Sequence, residues 1–269
     1  MEFDGKIALI TGASGGLGAA LCAALLARGA VVIAFDRDQN ALERLGLQHP
    51  DTPRLILRAG DITDEITLQE LANEIKEMCG RLDLLVHNAG VTHFSRFSES
   101  GAQVTRRVMN VNFTGAIMLT GAVLPMIKKS KGTIVALSSV AGFAPLFART
   151  AYAASKHALH GFFESLRSEL VEDGVHIMMV CPSFISTQSN TSNQDQAPEK
   201  GLSRPGSATE TAGTALQPEF VAQAIITGIQ QQKRQLIIGR LAKLSWIASR
   251  LFPAFYEKKM LERMKDEIP

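Results

Sequence analysis

Residues 6–29 read KIALITGASGGLGAALCAALLARG, and this stretch decides the fold. A short aliphatic run turns at a cluster of glycines and continues into a long segment rich in alanine and leucine, which predicts a strand, a tight turn and a helix. Gly12, Gly16 and Gly18 leave the backbone free to approach a pyrophosphate closely, and the helix N-terminus behind them supplies free N–H groups. Glycines also mark ordinary turns. Their placement between a strand and a helix favours a phosphate-binding turn.

The same alternation of aliphatic runs and helical segments continues along the chain. Seven runs predict strands at 6–11, 30–35, 54–58, 82–87, 132–137, 176–181 and 235–239. Helical segments are predicted at 17–28, 64–79, about 98–128, 151–173 and 218–232. The strand runs are continuously apolar, which is typical of strands covered on both faces of a parallel sheet. We therefore predict an α/β fold, a Rossmann-like doubly wound sheet of seven parallel strands, with ligands outside the carboxyl ends of the strands.

Composition limits the class of protein. The chain has 269 residues, 46% hydrophobic and 20% charged, which suits one large domain with a full core. A net charge of +2 gives no reason to expect a nucleic-acid partner. The N-terminal segment predicts neither a secretory signal nor a membrane span. Cys22, Cys79 and Cys181 are scattered, so we expect reduced thiols, a cytoplasmic protein and no metal site.

Two segments depart from the strand–helix pattern of the predicted 1–239 cofactor-binding and catalytic domain. Residues 188–217 are rich in polar residues and glycine, so they are either a substrate loop or a surface insertion. Residues 240–269 form a predicted C-terminal helical extension, broken at Pro253.

Two apolar stripes at helical spacing mark this extension: Leu241, Leu244, Ala248 and Leu251, followed by Tyr256, Met260 and Met264. We favour a helix hairpin packed on the domain or on a neighbouring subunit. The alternative is an amphipathic element that lies on a membrane or gates a lipophilic pocket.

The second predicted strand ends in Phe-Asp-Arg-Asp, and Asp36 lies eighteen residues after Gly18. An acidic group there would accept hydrogen bonds from the adenosine ribose and would repel a 2′-phosphate, which favours NAD over NADP. Gly15 adds no positive charge to the turn and agrees with NAD. Arg37 points the other way, because a guanidinium can pair with a phosphate. The alternative role for Asp36 is a solvated turn aspartate.

The glycine turn and the Tyr-x-x-x-Lys of TAYAASK (150–156) together resemble the short-chain dehydrogenase/reductase family, in its shorter single-domain branch. The resemblance covers residues 5–187 and continues weakly to 239. Further matching motifs follow in order: Gly60-Asp61-Ile62, His87-Asn88-Ala89-Gly90, Asn112 in MNVNFTG, Ser138-Ser139, and Cys181-Pro182-Ser183. His87 and Ser183 depart from the usual Asn and Gly. We expect His87 to affect the support of the sheet more than the chemistry, and Ser183 could narrow or re-angle the nicotinamide site.

The resemblance implies a catalytic tetrad of Asn112, Ser139, Tyr152 and Lys156. Tyr152 and Lys156 are spaced i, i+4, so they share one helix face. A nearby ammonium and a positive nicotinamide would lower the phenol pKa from its ordinary value, so that Tyr152 can exchange a proton with substrate. The resemblance implies that Ser139 holds the reacting oxygen, that Lys156 also binds the nicotinamide ribose, and that Asn112 holds a relay water. Taken alone, each is also an ordinary strand-end or helix polar group.

Candidate cofactor-binding residues combine the glycine turn with the family motifs. They are Gly12, Ser14, Gly15, Gly16, Leu17, Gly18, Asp36, Arg37, Asp61, Ile62, Asn88, Ala89, Gly90, Tyr152, Lys156, Pro182, Ile185 and Thr187. The candidate substrate pocket is mainly apolar and comprises His93, Phe143, Leu146, Phe147 and Phe184. Core packing is the rival interpretation for the 143–147 segment. His157 and His160 have metal-like spacing, but we expect surface or interface histidines.

The sequence therefore predicts an NAD(H)-dependent oxidoreductase that interconverts a lipophilic secondary alcohol and a ketone. Two alternatives stay open: a catalytically silent NAD(H) sensor or scaffold, and an epimerase or dehydratase on the same fold. The resemblance also implies a homodimer or homotetramer, formed through the long helices 98–128 and 151–173.

Overall fold

The computed structural model describes residues 1–50, 52–186 and 215–264. All seven predicted strands are present in one parallel sheet of order β3-β2-β1-β4-β5-β6-β7. The strands are β1 Ile7–Thr11, β2 Val31–Asp36, β3 Leu55–Ala59, β4 Leu84–His87, β5 Thr133–Leu137, β6 His176–Pro182 and β7 Gln235–Ile238. The predicted Rossmann-like α/β class is confirmed. The strand order reverses between β1 and β4, which leaves a crevice at their carboxyl ends.

Helices cover both faces of this sheet. They are α1 Gly16–Leu26, α2 Gln39–Leu47, α3 Glu65–Met78, α4 Phe97–Met109, α5 Gly115–Ser130, α6 Thr150–Glu169, α7 Pro218–Gln230, α8 Arg240–Leu251 and α9 Pro253–Met264. Helix α2 is absent from the sequence prediction. It is short and buries only Leu42 and Leu45, and its start is fixed by Asp38, whose carboxylate accepts from Ala41 N.

Alternating strand residues build two separate cores. Ala8 and Ile10 point to the face covered by α1, α2 and α7, whereas Ile7 and Leu9 point to the face covered by α3, α5 and α6. Because both faces of β1 are buried, each of its five residues is either apolar or has its polar side chain hydrogen-bonded inside the fold. This explains why the strands read as continuous apolar runs.

The helical segment predicted at about 98–128 is not one regular helix. It bends at Gly101 and passes through a π-helical turn, Asn110–Thr114, before α5 begins. By length and composition alone, the run 97–130 could cross a membrane. In the fold its apolar side lies on the sheet, with Leu119 and Ile127 fully buried. Its hydropathy is therefore that of a core helix.

Both predicted tail helices form, and the domain covers the apolar stripe of the first one only in part, so its packing on a neighbouring subunit or on a membrane stays a prediction. Leu244 and Leu251 are 64% and 66% exposed, and α8 instead buries Ala242 and Ser245. Small side chains allow α8 to approach the domain closely, and the leucines then point outward. The boundary predicted at residue 239 stays a prediction, and α8 directly follows β7 there.

Candidate active site

The glycine turn between β1 and α1 is held in a shape that only glycine tolerates. Gly12 has φ 63°, and a Cβ built there would lie 2.8 Å from Ala89 Cα. A Cβ on Gly18 would overlap the carbonyl oxygen of Gly12. Gly15 is the first residue before α1, so the first N–H groups of α1 face the end of β1. This arrangement can receive a pyrophosphate.

The predicted Asn-Ala-Gly segment after β4 lies directly against this turn. Asn88 Nδ2 donates to the carbonyl oxygen of Gly12 at 2.8 Å and to that of Thr11 at 3.1 Å. Ala89 N donates to Thr11 Oγ1 at 3.0 Å. The switch point between β1 and β4 is therefore held by side chains from both strand ends.

Asp36 ends β2 and points its carboxylate at the glycine turn. Its Oδ2 accepts from Ser14 N at 3.0 Å and from Ser14 Oγ at 2.7 Å, and Oδ1 accepts from Asp38 N at 3.3 Å. Asp36 is half-buried and held by the turn, so it is not a freely solvated turn aspartate. Arg37 is exposed.

The candidate adenine contacts, Asp61 and Ile62, follow β3. The Asp61 carboxylate accepts from Thr63 N and Thr63 Oγ1, both at 2.8 Å. Ile62 is buried, and Gly115 packs against its backbone so closely that a Cβ there would overlap Ile62. Asp61 and Ile62 thus lie at the same sheet edge as the glycine turn.

Ser139, Tyr152 and Lys156 meet at the end of β5. Burial raises the pKa of the Tyr152 phenol, and a hydrogen-bonding interaction with Ser139 partly offsets this rise. Lys156 is buried, its Nζ donates to the carbonyl oxygen of Leu137 at 2.7 Å, and it lies 5.6 Å from the centroid of the Tyr152 ring. The sequence-predicted serine, tyrosine and lysine are therefore brought together.

Asn112 lies in the π-helical turn, which the sequence did not predict. Its Nδ2 donates to the carbonyl oxygen of Val91 and to Ser155 Oγ, both at 2.9 Å, and its Oδ1 accepts from Val91 N at 2.7 Å. A Cβ on Gly90 would lie 3.3 Å from Asn112 Oδ1 and 3.7 Å from Lys156 Nζ. The extra residue in this turn thus aims Asn112 at the loop after β4, beside Lys156.

The lowered pKa expected for Tyr152 refers to the site with oxidised cofactor bound and stays a prediction; without cofactor the pKa shifts the other way. Burial raises the pKa of Tyr152 above its ordinary value, and the opposing effects of Ser139 and Arg149 only partly offset this. Burial also lowers the pKa of Lys156 to about 8. The physical reason is desolvation: removing water disfavours the charged form of both groups.

Arg149 belongs to the site, and the sequence analysis missed it. It immediately precedes α6, its Nη1 donates to Thr92 Oγ1 at 2.5 Å, and its guanidinium lies 4.7 Å from the centroid of the Phe94 ring. Burial raises the pKa of Tyr152 and lowers that of His93; the positive charge of Arg149 partly offsets the first change and adds to the second. The sequence feature that could have identified Arg149 is its position as a basic residue three positions before Tyr152.

Two of the candidate pocket residues, His93 and Phe184, follow β4 and β6. His93 is 8% exposed, its Nε2 lies 2.7 Å from Ser95 Oγ, and its Nδ1 makes no hydrogen bond within the described residues. Burial, assisted by the positive charge of Arg149, lowers the pKa of His93 and so favours its neutral form. Phe184 is half-buried beyond β6, where its carbonyl oxygen accepts from Leu216 N at 2.9 Å.

The 143–147 segment lies between the tetrad and the C-terminal helices. Phe147 N donates to Met260 Sδ at 3.1 Å, and the guanidinium of Arg250 lies 5.8 Å from the centroid of the Phe143 ring. Phe143, Leu146 and Phe147 are all partly buried, which leaves both the pocket and the packing interpretation open. The C-terminal helices therefore pack on this segment, and its role as an apolar substrate wall stays a prediction.

Of the remaining cofactor candidates, Pro182 ends β6, and Ile185 pairs with Leu216 in an isolated bridge. Thr187 and residues 188–214 of the predicted substrate loop lie outside the described residues.

His87 and His160 both have structural partners. His87, the departure from Asn-Asn-Ala-Gly, is buried, with Nε2 2.8 Å from Thr120 Oγ1, and burial lowers its pKa to about 3. His160, expected at the surface or at an interface, has a largely buried side chain, with Nε2 3.5 Å from Cys181 Sγ and Nδ1 2.8 Å from Glu164 Oε1. His157 is exposed and contacts the carbonyl oxygen of Ala153.

Comparison with known proteins gives a consistent result. The sequence model of the family described as "short chain dehydrogenase" matches residues 6–198. The dehydrogenase/reductase SDR family member 7B of Danio rerio is 31% identical over 97% of this chain and 86% of its own length. The SDR family protein 7-like of Anopheles gambiae is 32% identical over 98% and 85%.

Solved structures extend the comparison to cofactor complexes. A short chain dehydrogenase from Burkholderia cenocepacia in complex with NADP is 25% identical, with a TM-score of 0.80 over 97% of this chain and 99% of that one. A short chain dehydrogenase/reductase from Burkholderia phymatum in complex with NAD is 26% identical, with a TM-score of 0.80 over 96% of each chain.

Proposed function

The chain belongs to the short-chain dehydrogenase family, and on that premise we propose that it interconverts a lipophilic secondary alcohol and the corresponding ketone with NAD(H). The observation that carries the proposal is the meeting of Ser139, Tyr152 and Lys156 at the end of β5, beside the switch point of the sheet. An alcohol oxygen between Ser139 and Tyr152 would lie within reach of both a hydrogen-bond donor and a proton acceptor.

The residues present fit a nicotinamide dinucleotide. Gly12 and Gly18 keep the turn tight, because a Cβ at either position would clash with the neighbouring backbone, and the first N–H groups of α1 are left to bind a pyrophosphate. The carboxylates of Asp36 and Asp61 lie where the adenosine end would lie. The bound cofactor supplies the hydride acceptor for oxidation and the hydride donor for reduction.

Each member of the tetrad then has a defined task. During oxidation Tyr152, as phenolate, takes the hydroxyl proton from the substrate oxygen; during reduction the neutral phenol returns a proton to that oxygen. Ser139 donates a hydrogen bond to the same oxygen and stabilises its partial negative charge. Asn112 holds the loop after β4 and, through Ser155 Oγ, the start of α6.

Lys156 has two tasks. Its buried ammonium stabilises the negatively charged phenolate of Tyr152 relative to the neutral phenol. The same ammonium donates hydrogen bonds to the nicotinamide ribose. Because burial lowers its pKa to about 8, Lys156 can exchange a proton near neutral pH. A water held by Asn112 beside Gly90 would connect it to solvent.

The preference for NAD rests on Asp36. Its carboxylate faces the glycine turn, where a 2′-phosphate would meet a negative charge. Similar proteins have been solved with NADP and with NAD. We therefore base the proposed preference for NAD on Asp36 of this chain and not on the cofactors bound by similar proteins.

A lipophilic substrate is proposed from the wall beside the tetrad. Phe143, Leu146 and Phe147 present apolar side chains between Ser139 and Tyr152, and α9 supports them through Met260. His93 and Arg149 add polar groups, and the charge of Arg149 acts on His93. We also propose a cytoplasmic homo-oligomer, which light scattering on the purified protein tests.

The direct test replaces each of the two tyrosines of the chain in turn. Tyr152→Phe should reduce turnover with a panel of hydroxysteroids, acyl compounds and small ketones by about 10²–10⁴-fold. NADH binding, followed by cofactor fluorescence, should persist. Tyr256→Phe in the tail is the matched control and should retain turnover.

Near-normal turnover by Tyr152→Phe would show that the mechanism is wrong. Tight NAD(H) binding by the unmodified protein without turnover of any compound would instead favour the sensor or scaffold. Conversion of a substrate without net NADH formation would favour an epimerase or dehydratase.

A further inference from the structure

Helix α8 and the start of α9 carry large apolar side chains that the domain leaves uncovered. We call them the apolar face: Leu244, Ile247, Leu251, Phe252 and Phe255, which are 64%, 47%, 66%, 62% and 60% exposed. Leu244, Ile247 and Leu251 recur at i, i+3 and i+7, so they lie along one side of α8. An exposed set of this kind marks an interaction surface.

Basic residues border the apolar face on both helices. Arg240, Lys243 and Arg250 are exposed on α8, and Lys258, Lys259 and Arg263 are exposed on α9. Between residues 240 and 264 the chain has these six basic residues and two acidic ones, Glu257 and Glu262, a difference of +4. An apolar face flanked by positive charge is typical of helices that lie in a membrane interface.

The positive charge around the apolar face distinguishes two possible partners of this face, a second copy of the chain and a lipid surface. In a two-fold dimer the apolar face would contact itself, which would bring two strongly positive surfaces together. Anionic lipid head groups instead attract each nearby lysine or arginine. Leucine and phenylalanine side chains can enter the acyl boundary while the flanking cations remain among the head groups.

We propose that the apolar face docks on an anionic lipid surface, with α8 and α9 lying in the plane of the interface. The docking itself does not depend on the proposed function. The consequence of docking for catalysis does depend on the proposed function, because the same helices contact the pocket wall. Arg250 contacts Phe143, and Met260 contacts Phe147. Docking would bring the mouth of the pocket to the lipid, where a lipophilic substrate is concentrated.

The chain contains a natural reporter of this contact. Its single tryptophan, Trp246, lies on α8, with the Arg250 guanidinium 4.4 Å from its ring centroid. The full-length protein is mixed with vesicles of phosphatidylcholine containing about 30% phosphatidylserine. We expect co-sedimentation, a change in Trp246 emission, and loss of both signals in pure phosphatidylcholine or at about 1 M salt, where the Debye length is about 3 Å.

Two double variants separate the apolar face from general surface hydrophobicity. Phe252→Ser with Phe255→Ser should reduce vesicle binding at least tenfold. Leu47→Ser with Phe220→Ser removes side chains that are 78% and 59% exposed elsewhere, and this control should bind as the unmodified protein does. Circular dichroism and turnover of a water-soluble ketone verify that both variants are folded.

Failure of the unmodified protein to bind anionic vesicles would overturn the proposal, as would equal binding by the Phe252/Phe255 variant. A lower mass of that variant in light scattering, without vesicle binding by the unmodified protein, would assign the face to a subunit interface. A different result would contradict only the proposed function: the unmodified protein and both variants show no turnover, and only the Phe252/Phe255 variant loses vesicle binding.

Discussion

Lys156 Nζ lies 5.6 Å from the centroid of the Tyr152 ring, and its hydrogen bond goes to the carbonyl oxygen of Leu137. The pair therefore shares one face of α6 without an ion pair between phenol and ammonium. Burial raises the pKa of Tyr152 and lowers that of Lys156 in this arrangement. We therefore expect the charge of a bound oxidised cofactor to activate the phenol.

We predict that Tyr152 titrates above its ordinary value of 10.0 in the protein without cofactor, because burial disfavours the phenolate. Addition of NAD⁺ should lower this pKa by at least one unit, since a positive ring favours the phenolate. Tyrosine labelled with ¹³C at the ring carbon that bears the hydroxyl reports both residues by NMR. Tyr256→Phe assigns the signals, and a Tyr152 pKa that NAD⁺ leaves unchanged would contradict this account.

Arg149 is predicted to tune Tyr152 through its charge. Arg149→Gln should move the tyrosine-dependent limb of the pH–rate profile for alcohol oxidation upward by about half a unit to one unit, because a positive charge that favours the phenolate is lost. Arg149→Lys keeps the charge and should restore most of the shift. If both variants lose activity equally without moving the profile, Arg149 acts only by holding Thr92 and Phe94.

Asp36 is predicted to select NAD. Asp36→Ser should raise the KM for NAD⁺ about tenfold and lower the KM for NADP⁺, because the carboxylate that repels a 2′-phosphate is removed. The ratio of kcat/KM values for the two cofactors measures the change. Asp38→Ser is the matched control: Asp38 caps α2 through Ala41 N and serine can also cap a helix, so this variant should keep both the stability and the ratio of the unmodified protein.

His87 is predicted to make the fold sensitive to acid. Its pKa is about 3 in the folded protein and 6.5 for the free side chain, so between these values the unfolded chain binds a proton that the native state does not. Stability should therefore fall as pH falls below 6.5, by up to about 1.4 kcal/mol per pH unit from this group.

Urea unfolding at pH 7 and pH 5 measures the effect, and His87→Asn should reduce the difference between them. His93, His160 and His176 also have lowered pKa values, so the variant retains part of the dependence. An identical difference in the variant would show that His87 does not contribute.

The sequence by itself determined the fold and the order of its parts. Strands buried on both faces must be apolar at every position, so all seven were visible as continuous runs. The glycine turn was visible because its backbone geometry permits no side chain. The pairing of Tyr152 and Lys156 was visible because residues four apart share a helix face.

Only the tertiary structure decided the features that depend on distant contacts. The π-helical turn that aims Asn112 depends on the loop after β4, and the field of Arg149 at Tyr152 depends on how Thr92 and Phe94 hold it. The shift of the Tyr152 pKa follows from burial. For α8, Leu244 and Leu251 have the spacing of a buried stripe, but the small residues Ala242 and Ser245 pack more closely on the domain. Periodicity shows that a helix has an apolar side, whereas packing decides whether that side is covered.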